Sequence, residues 1–226
     1  MRHPLDRPVW TALSTRQAQF AEGGALAKRY IPSIVPFAST PDNDAQSLCA
    51  LDDLVPPGER IFLAQADDLA LSEKFSKVAE ARVVQMIAIE RVDPIPDARI
   101  EKLTGADAEE MLSLATLTKP GPFTLRAAAL GEFFGIKIGG RLAAMAGERM
   151  KQPGYSELSG VCSHPDFRGG NLGKILSLHV ADRIFARGET PYLHAYTTNA
   201  AAIRLYESIG FRLRCELNVA VAERKP

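Results

Sequence analysis

Apolar residues recur at helical spacing over Leu172, Ile175, Leu176, Val180 and Ile184, which predicts an amphipathic helix. A strand over 156–163 precedes it and should end near Ser163, because Pro165 cannot donate a ladder hydrogen bond. Gly188 is the stop signal of the helix, and 191–196 is the next strand. A helix over 200–209 comes after it, with Ala202, Leu205, Tyr206 and Ile209 on one face. Gly210 suits a left-handed cap onto which Phe211 packs back, and 211–221 supplies a last strand. Upstream, 133–138 and 142–150 form a hairpin around Gly139 and Gly140. Residues 98–103 read as a strand, Thr104 to Asp107 as a capping-box helix start, and Met111, Leu114 and Ala115 as the helix that Pro120 and Pro122 end. Residues 123–130 add a second short helix.

The N-terminal region has a weaker pattern. A helix is expected over 10–20, broken at Gly23 and Gly24, and Pro32 and Pro36 make 30–37 extended or irregular. Pro56, Pro57 and Gly58 form a turn before a strand at 60–64. Residues 72–80 read as a short helix, and 82–89, rich in β-branched residues, as a buried strand. Pro94 and Pro96 mark the boundary, because two prolines one residue apart disfavour both helix and central strand. The division is a divergent N-terminal region, 1–92, and a second unit, 97–226.

Composition narrows the function classes. Hydrophobic residues make up 46% of the 226, enough for a sizeable core, and 27 basic residues balance 27 acidic ones. No basic stripe interleaved with aromatics argues for nucleic acid. No apolar run is long enough to span a membrane, and the N-terminus lacks the apolar stretch of a secretion signal. Cys49, Cys162 and Cys215 are scattered and odd in number, which fits a reducing compartment and gives no metal-binding pair. The cytoplasm is the expected location, with no metal.

The segment from Arg168 to Lys174 carries the first candidate chemistry. Arg168, Gly169, Gly170, Asn171, Leu172, Gly173 and Lys174 join the strand to the helix. A glycine-rich loop opening onto a helix leaves backbone N–H groups unpaired, and the helix dipole favours an anion there. A phosphate cradle is one alternative; a plain turn is the other. The nucleotide-binding P-loop is excluded, since Arg168 stands at its first glycine and Ile175 at its Ser/Thr. The dinucleotide fingerprint is absent too.

The segment resembles the acetyl-CoA-binding motif Q/R-x-x-G-x-G/A of the GNAT acyltransferases, and is most similar to their FR47-like branch. Asn171 replaces the middle glycine, at a cost of roughly a kcal/mol or less, since Asn tolerates a left-handed backbone. Downstream, Asn199, Ala202, Leu205, Tyr206, Gly210 and Phe211 match the second signature, N-x-x-A-x-x-L-Y-x-x-x-G-F. The order of elements from residue 98 onward is also that of the GNAT fold. The resemblance therefore implies an α/β (α+β) architecture with a mixed, mostly antiparallel sheet flanked by helices. The N-terminal region would be an additional half, of the same fold in degenerate form.

The resemblance also implies an activity and roles for particular residues. The activity is acetyl transfer from acetyl-CoA to an amine of a small molecule or a protein. The pyrophosphate rests on 168–174, and the backbone of Val161, Cys162 and Ser163 polarises the thioester where that strand splays from the next. Tyr206, roughly 10 Å along the helix from Asn199, is either a core tyrosine or the acid that protonates the leaving thiolate; its ordinary pKa of about 10 keeps it protonated at neutral pH. Asn199 is a helix cap or a ligand contact. Glu157 is the chosen base, against a plain exposed strand glutamate, with His164 and His194 as lesser candidates. Cys162 as a covalent nucleophile would need a depressed pKa and a positioned base. A catalytically silent CoA-binding sensor or interaction module is the alternative function. A homodimer is compatible with the sequence, which does not select the acceptor.

Overall fold

The computed structural model describes residues 3–226. In chain order the elements are α1 (Pro8–Ser14), β1 (Ala21–Gly23), β2 (Lys28–Tyr30), β3 (Ala38–Ser39), α2 (Ala45–Leu54), β4 (Arg60–Gln65), β5 (Phe75–Ala88), β6 (Ile100–Leu103), α3 (Ala108–Thr118), β7 (Phe133–Ile138), β8 (Arg141–Gln152), β9 (Tyr155–Ser163), α4 (Leu172–Ala186), β10 (Thr190–Tyr196), α5 (Ala200–Glu207) and β11 (Phe211–Arg224). From β6 onward this is the expected order. Thr104 and Asp107 form the expected capping box, and Gly210 takes the left-handed conformation with φ +90°.

Eight strands make one sheet in the order β4-β11-β5-β10-β9-β8-β7-β6; β1, β2 and β3 form a small sheet apart. All neighbours in the large sheet are antiparallel except β9 and β10, which are parallel. The N-terminal region thus contributes β4 and β5 to the same sheet as the C-terminal unit. β5 lies between β10 and β11, two strands that follow each other in sequence. The proline-bearing stretch between β5 and β6 is irregular, as two prolines dictate.

Alternation along the strands gives the sheet two apolar faces. On one, Phe134, Ala143 and Ala146 pack against Leu176, Val180 and Ile184 of α4 and Tyr206 of α5. On the other, Phe133, Leu142, Met145 and Cys162 pack against Met111, Leu114 and Ala115 of α3. Leu5, Val9 and Leu13 join Tyr30, Ile34, Met150 and Tyr192 in a further cluster that ties the N-terminal region to β8 and β10.

Three elements differ from the sequence-based expectation. The helix expected over 72–80 is the first half of β5, which pairs with β11 from Phe75↔Arg224 to Ala88↔Phe211. Long-range pairing overrides the local helical pattern there. The helix over 10–20 is cut at Ser14, where the Thr15 hydroxyl donates to the Thr11 carbonyl at 2.6 Å; a 3₁₀ turn, Ala18–Phe20, comes next. The helix over 123–130 is reduced to a 3₁₀ turn, Ala127–Leu130, because the Thr124 hydroxyl donates to the Ser33 and Ile34 carbonyls and holds the preceding chain away from a helix.

Gly147 of β8 lies opposite Phe133 of β7. A Cβ at Gly147 would stand 2.4 Å from the Phe133 ring. Gly147→Ala is therefore expected to lower stability by about 1–3 kcal/mol through overpacking, readable as a shift of the urea midpoint.

Candidate active site

The site begins where two strands part. β9 and β10 pair only at Tyr155↔Thr190, Ser156↔Pro191 and Glu157↔Tyr192. β10 then continues to Tyr196 alongside β5, while β9 continues to Ser163 alongside β8. Past Glu157 the edge of β9 that faces β10 has no strand partner, so backbone polar groups open into the gap. Val161, Cys162 and Ser163 lie on this parted segment. Gly160, at φ +64°, sits at a register shift against β8, and a Cβ there would come 2.8 Å from the Phe133 ring. The shift is a bulge that re-aims the end of the strand.

The loop after β9 is held locally. The His164 side chain accepts from the Asp166 N–H at 3.2 Å and starts a 3₁₀ turn, Pro165–Phe167. Gly169 has φ +86°, and Asn171 takes the left-handed conformation at φ 56°, ψ 16°. The first helical bond of α4 runs from the Ile175 N–H to the Asn171 carbonyl, 3.0 Å. The N–H groups of Leu172, Gly173 and Lys174 are therefore free of intrahelical partners at a dipole-positive end. Arg168 is exposed beside them. A Cβ built on Gly173 would lie 3.8 Å from both Ser163 Oγ and Val161 Cγ1, so the cradle abuts the parted segment.

α5 closes the other side. The Asn199 side chain accepts from the Ala202 N–H at 3.1 Å, so it caps the helix, and Asn199 also lines a cavity of about 240 Å³. Val161, Ala195, Ala202 and Tyr206 line the same cavity. Tyr206 is buried with its ring 6.1 Å from that of Phe211, yet it faces the cavity, so core packing and cavity exposure coexist. Burial, with Cys162 nearby as a smaller cause, pushes the phenol up to about 12.

Glu157 is not an exposed strand residue. Its carboxylate is fully buried and accepts from Arg149 Nε and Nη2 at 2.9 and 2.7 Å and from the Met150 N–H at 3.2 Å. His194 Nδ1 lies 2.7 Å from Oε1. Burial alone would raise its pKa, but the Arg149 guanidinium and then His194 bring it down to about 2. A carboxylate so fully engaged has little affinity for a proton, which argues against direct abstraction from a substrate. His194 reaches the cavity wall that Glu157 does not. Its Nε2 is 3.0 Å from Gln85 Nε2, and Gln85 is oriented by its bonds to the Leu5 carbonyl and Arg214 Nε. Nε2 thus accepts and Nδ1–H donates to Glu157.

Cys162 lacks what a nucleophile needs. Burial pushes the thiol up to about 11, against a smaller opposing pull from a bond to Thr118. His164, the histidine nearest to it in sequence, is occupied with the loop and with Arg141 at 3.2 Å. No group of three or more His, Cys, Asp or Glu side chains among the described residues could hold a metal ion, and no described helix is long and apolar enough to cross a membrane.

The sequence patterns did not reveal Arg149, nor the N-terminal wall of the cavity formed by Phe37 and Phe62. Arg149 had one signal, its charge opposite to Glu157 across the turn at Gly154. Phe37 had none, since it reaches the site only through the fold of the N-terminal region.

Comparison with known proteins agrees with the geometry. The family model described as FR47-like protein matches residues 133–220. A crystal structure of a protein from Novosphingobium aromaticivorans, described as from the GNAT family, is 38% identical, with a TM-score of 0.94 and 100% of each chain covered. The [ribosomal protein bS18]-alanine N-acetyltransferase of Escherichia coli is 35% identical over 79 residues, 34% of this chain and 53% of that protein. The N-alpha-acetyltransferase RimI of Mycobacterium tuberculosis is 35% identical over 83 residues, 35% of this chain and 51% of that protein. The chain spans about half the length of these curated relatives. The full-length likeness, the parted strands and the loop at the head of α4 lead to one assignment: the chain belongs to the GNAT superfamily of acetyltransferases, with its FR47-like match confined to residues 133–220.

Proposed function

We propose that the protein transfers the acetyl group of acetyl-CoA to an amine by direct attack, without an acyl-enzyme. The observation that carries this is the gap between β9 and β10, which adjoins the loop at the head of α4 on one side and the Tyr206 cavity on the other. A long cosubstrate with a pyrophosphate at one end and a thioester at the other suits that arrangement. The N–H groups at 169–174, with Arg168 and Lys174 at the rim, hold the pyrophosphate. The free edge of Val161, Cys162 and Ser163 hydrogen-bonds the pantetheine arm and polarises the thioester carbonyl.

The amine nitrogen forms the new C–N bond, the C–S bond breaks, and the electron pair leaves with sulfur. Tyr206 donates its phenolic proton to that sulfur. The amine proton passes to His194, which lines the cavity and which Glu157 orients from behind. Glu157 is thus a positioning residue for the base rather than the base itself.

The test is thiol release from acetyl-CoA across a broad amine panel. Acceptor-dependent release supports the proposal. Acetyl-CoA binding with no release for any amine favours the silent CoA-binding module, a reading that the saturated carboxylate of Glu157 also supports. Asn171 offers a smaller check. Asn171→Gly should keep the acetyl-CoA dissociation constant within about five-fold, since the left-handed cost of Asn is about a kcal/mol or less. Asn171→Val, β-branched at positive φ, should weaken binding well beyond that.

A further inference from the structure

The cavity beside Tyr206 is small and mostly apolar. At about 240 Å³ it lies below the usual range for drug-sized ligands. Phe37 and Phe62 meet edge to face, 6.0 Å between centroids, and form part of its wall. Ionisable lining residues with fixed charge are Glu80, Lys119 and Arg149, of which Arg149 is the most enclosed.

Arg149 is held in one orientation. Two of its nitrogens are bound to Glu157, and its guanidinium carbon stands 4.9 Å from the centre of the Phe37 ring. Its third nitrogen, Nη1, makes no hydrogen bond to a described residue. The turn at Gly121 leaves room there, since even an added Cβ would stay 3.8 Å from Nη1. A guanidinium fixed by a carboxylate, with one edge unpaired in an apolar cavity, is preorganised to bind a second anion in its plane.

We propose that the acceptor is a small apolar primary amine that also carries a carboxylate, and that Arg149 binds the carboxylate through Nη1. This rests on the acyltransferase function proposed above. Phe37 and Phe62 contact the apolar part of the acceptor, while its amine faces the wall formed by Tyr206 and Val161. Glu157 has a second use in this arrangement, because it holds the fork of Arg149 in place.

The experiment compares acceptors on the intact protein. Thiol release is measured with phenylalanine and leucine, with their amides, with the decarboxylated amines phenethylamine and isopentylamine, and with a Phe-Ala dipeptide. The free amino acids should exceed the decarboxylated amines by about 10- to 100-fold in kcat/KM, the scale of a charge-assisted hydrogen bond in a desolvated site. Arg149→Lys keeps a charge against Glu157 but loses the fork, and should shrink that preference to about three-fold, chiefly through KM. The wild-type comparison stands alone if the variant does not fold. Acetyl-CoA binding is measured in parallel. If it binds and amines without a carboxylate react equally well, or the dipeptide reacts best, or no carboxylate-bearing amine reacts, the acceptor proposal is overturned while acetyl-CoA binding stands. If acetyl-CoA does not bind, the acyltransferase function falls and takes this proposal with it.

Discussion

Tyr206→Phe is expected to lower kcat for acetyl transfer by about 10²–10⁴-fold, the range for losing a positioned acid. Acetyl-CoA affinity should stay within about two-fold, because the ring keeps its place against Phe211 and only the hydroxyl is lost. Fold stability should hardly change, since the hydroxyl makes no hydrogen bond to a described residue. The pH dependence carries a sign. The phenol is raised to about 12, so it stays protonated and able to donate through the alkaline range up to that value. Loss of the wild-type rate through Tyr206 ionisation should therefore begin only as pH approaches 12. A rate limb with an apparent pKa of about 8 or 9, well below the ordinary phenol, that vanishes in Tyr206→Phe would contradict the assignment.

Glu157→Ala is expected to destabilise the fold by about 3–5 kcal/mol, the scale for removing one partner of a buried ion pair. The reason is local. Arg149 and His194 would both lose their shared carboxylate, and the Met150 N–H its acceptor. Glu157→Gln keeps hydrogen-bonding capacity and should cost less. The folded-state pKa of Glu157 is about 2, below the ordinary 4.5. A depressed carboxylate contributes stability that is full above pH about 4.5 and is lost as pH falls through about 2. The stability gap between wild type and Glu157→Ala, measured by urea denaturation, should therefore narrow from about pH 7 to about pH 3. An unchanged gap would mean that the ion pair is not its source.

The C-terminal part of the fold was legible because its signals are local. The helical spacing at Leu172, Ile175 and Leu176, the strand stop before Pro165 and the cap at Gly210 each act within a few residues. The second half of β5 was legible as the apolar strand 82–89, but its first half was not, since that part is held as a strand by β11, more than a hundred residues away. The site divided the same way. The loop from Arg168 to Lys174 and the face of α5 carrying Asn199 and Tyr206 are spaced along the chain in a recognisable pattern. The surroundings of Glu157 are not, because Arg149, His194 and Gln85 meet it only across strands, and a glutamate on a strand reads as exposed until its neighbours are known. The cavity wall at Phe37 and Phe62 has no sequence pattern at all, for it exists only once the N-terminal region docks.

Calorimetric titration with acetyl-CoA, and separately with ATP and NAD, tests the central claim most directly. The account predicts micromolar binding of acetyl-CoA, none of the two nucleotides at comparable concentration, and weaker acetyl-CoA binding in Arg168→Ala. No heat with acetyl-CoA, or equal binding of all three ligands, would contradict it.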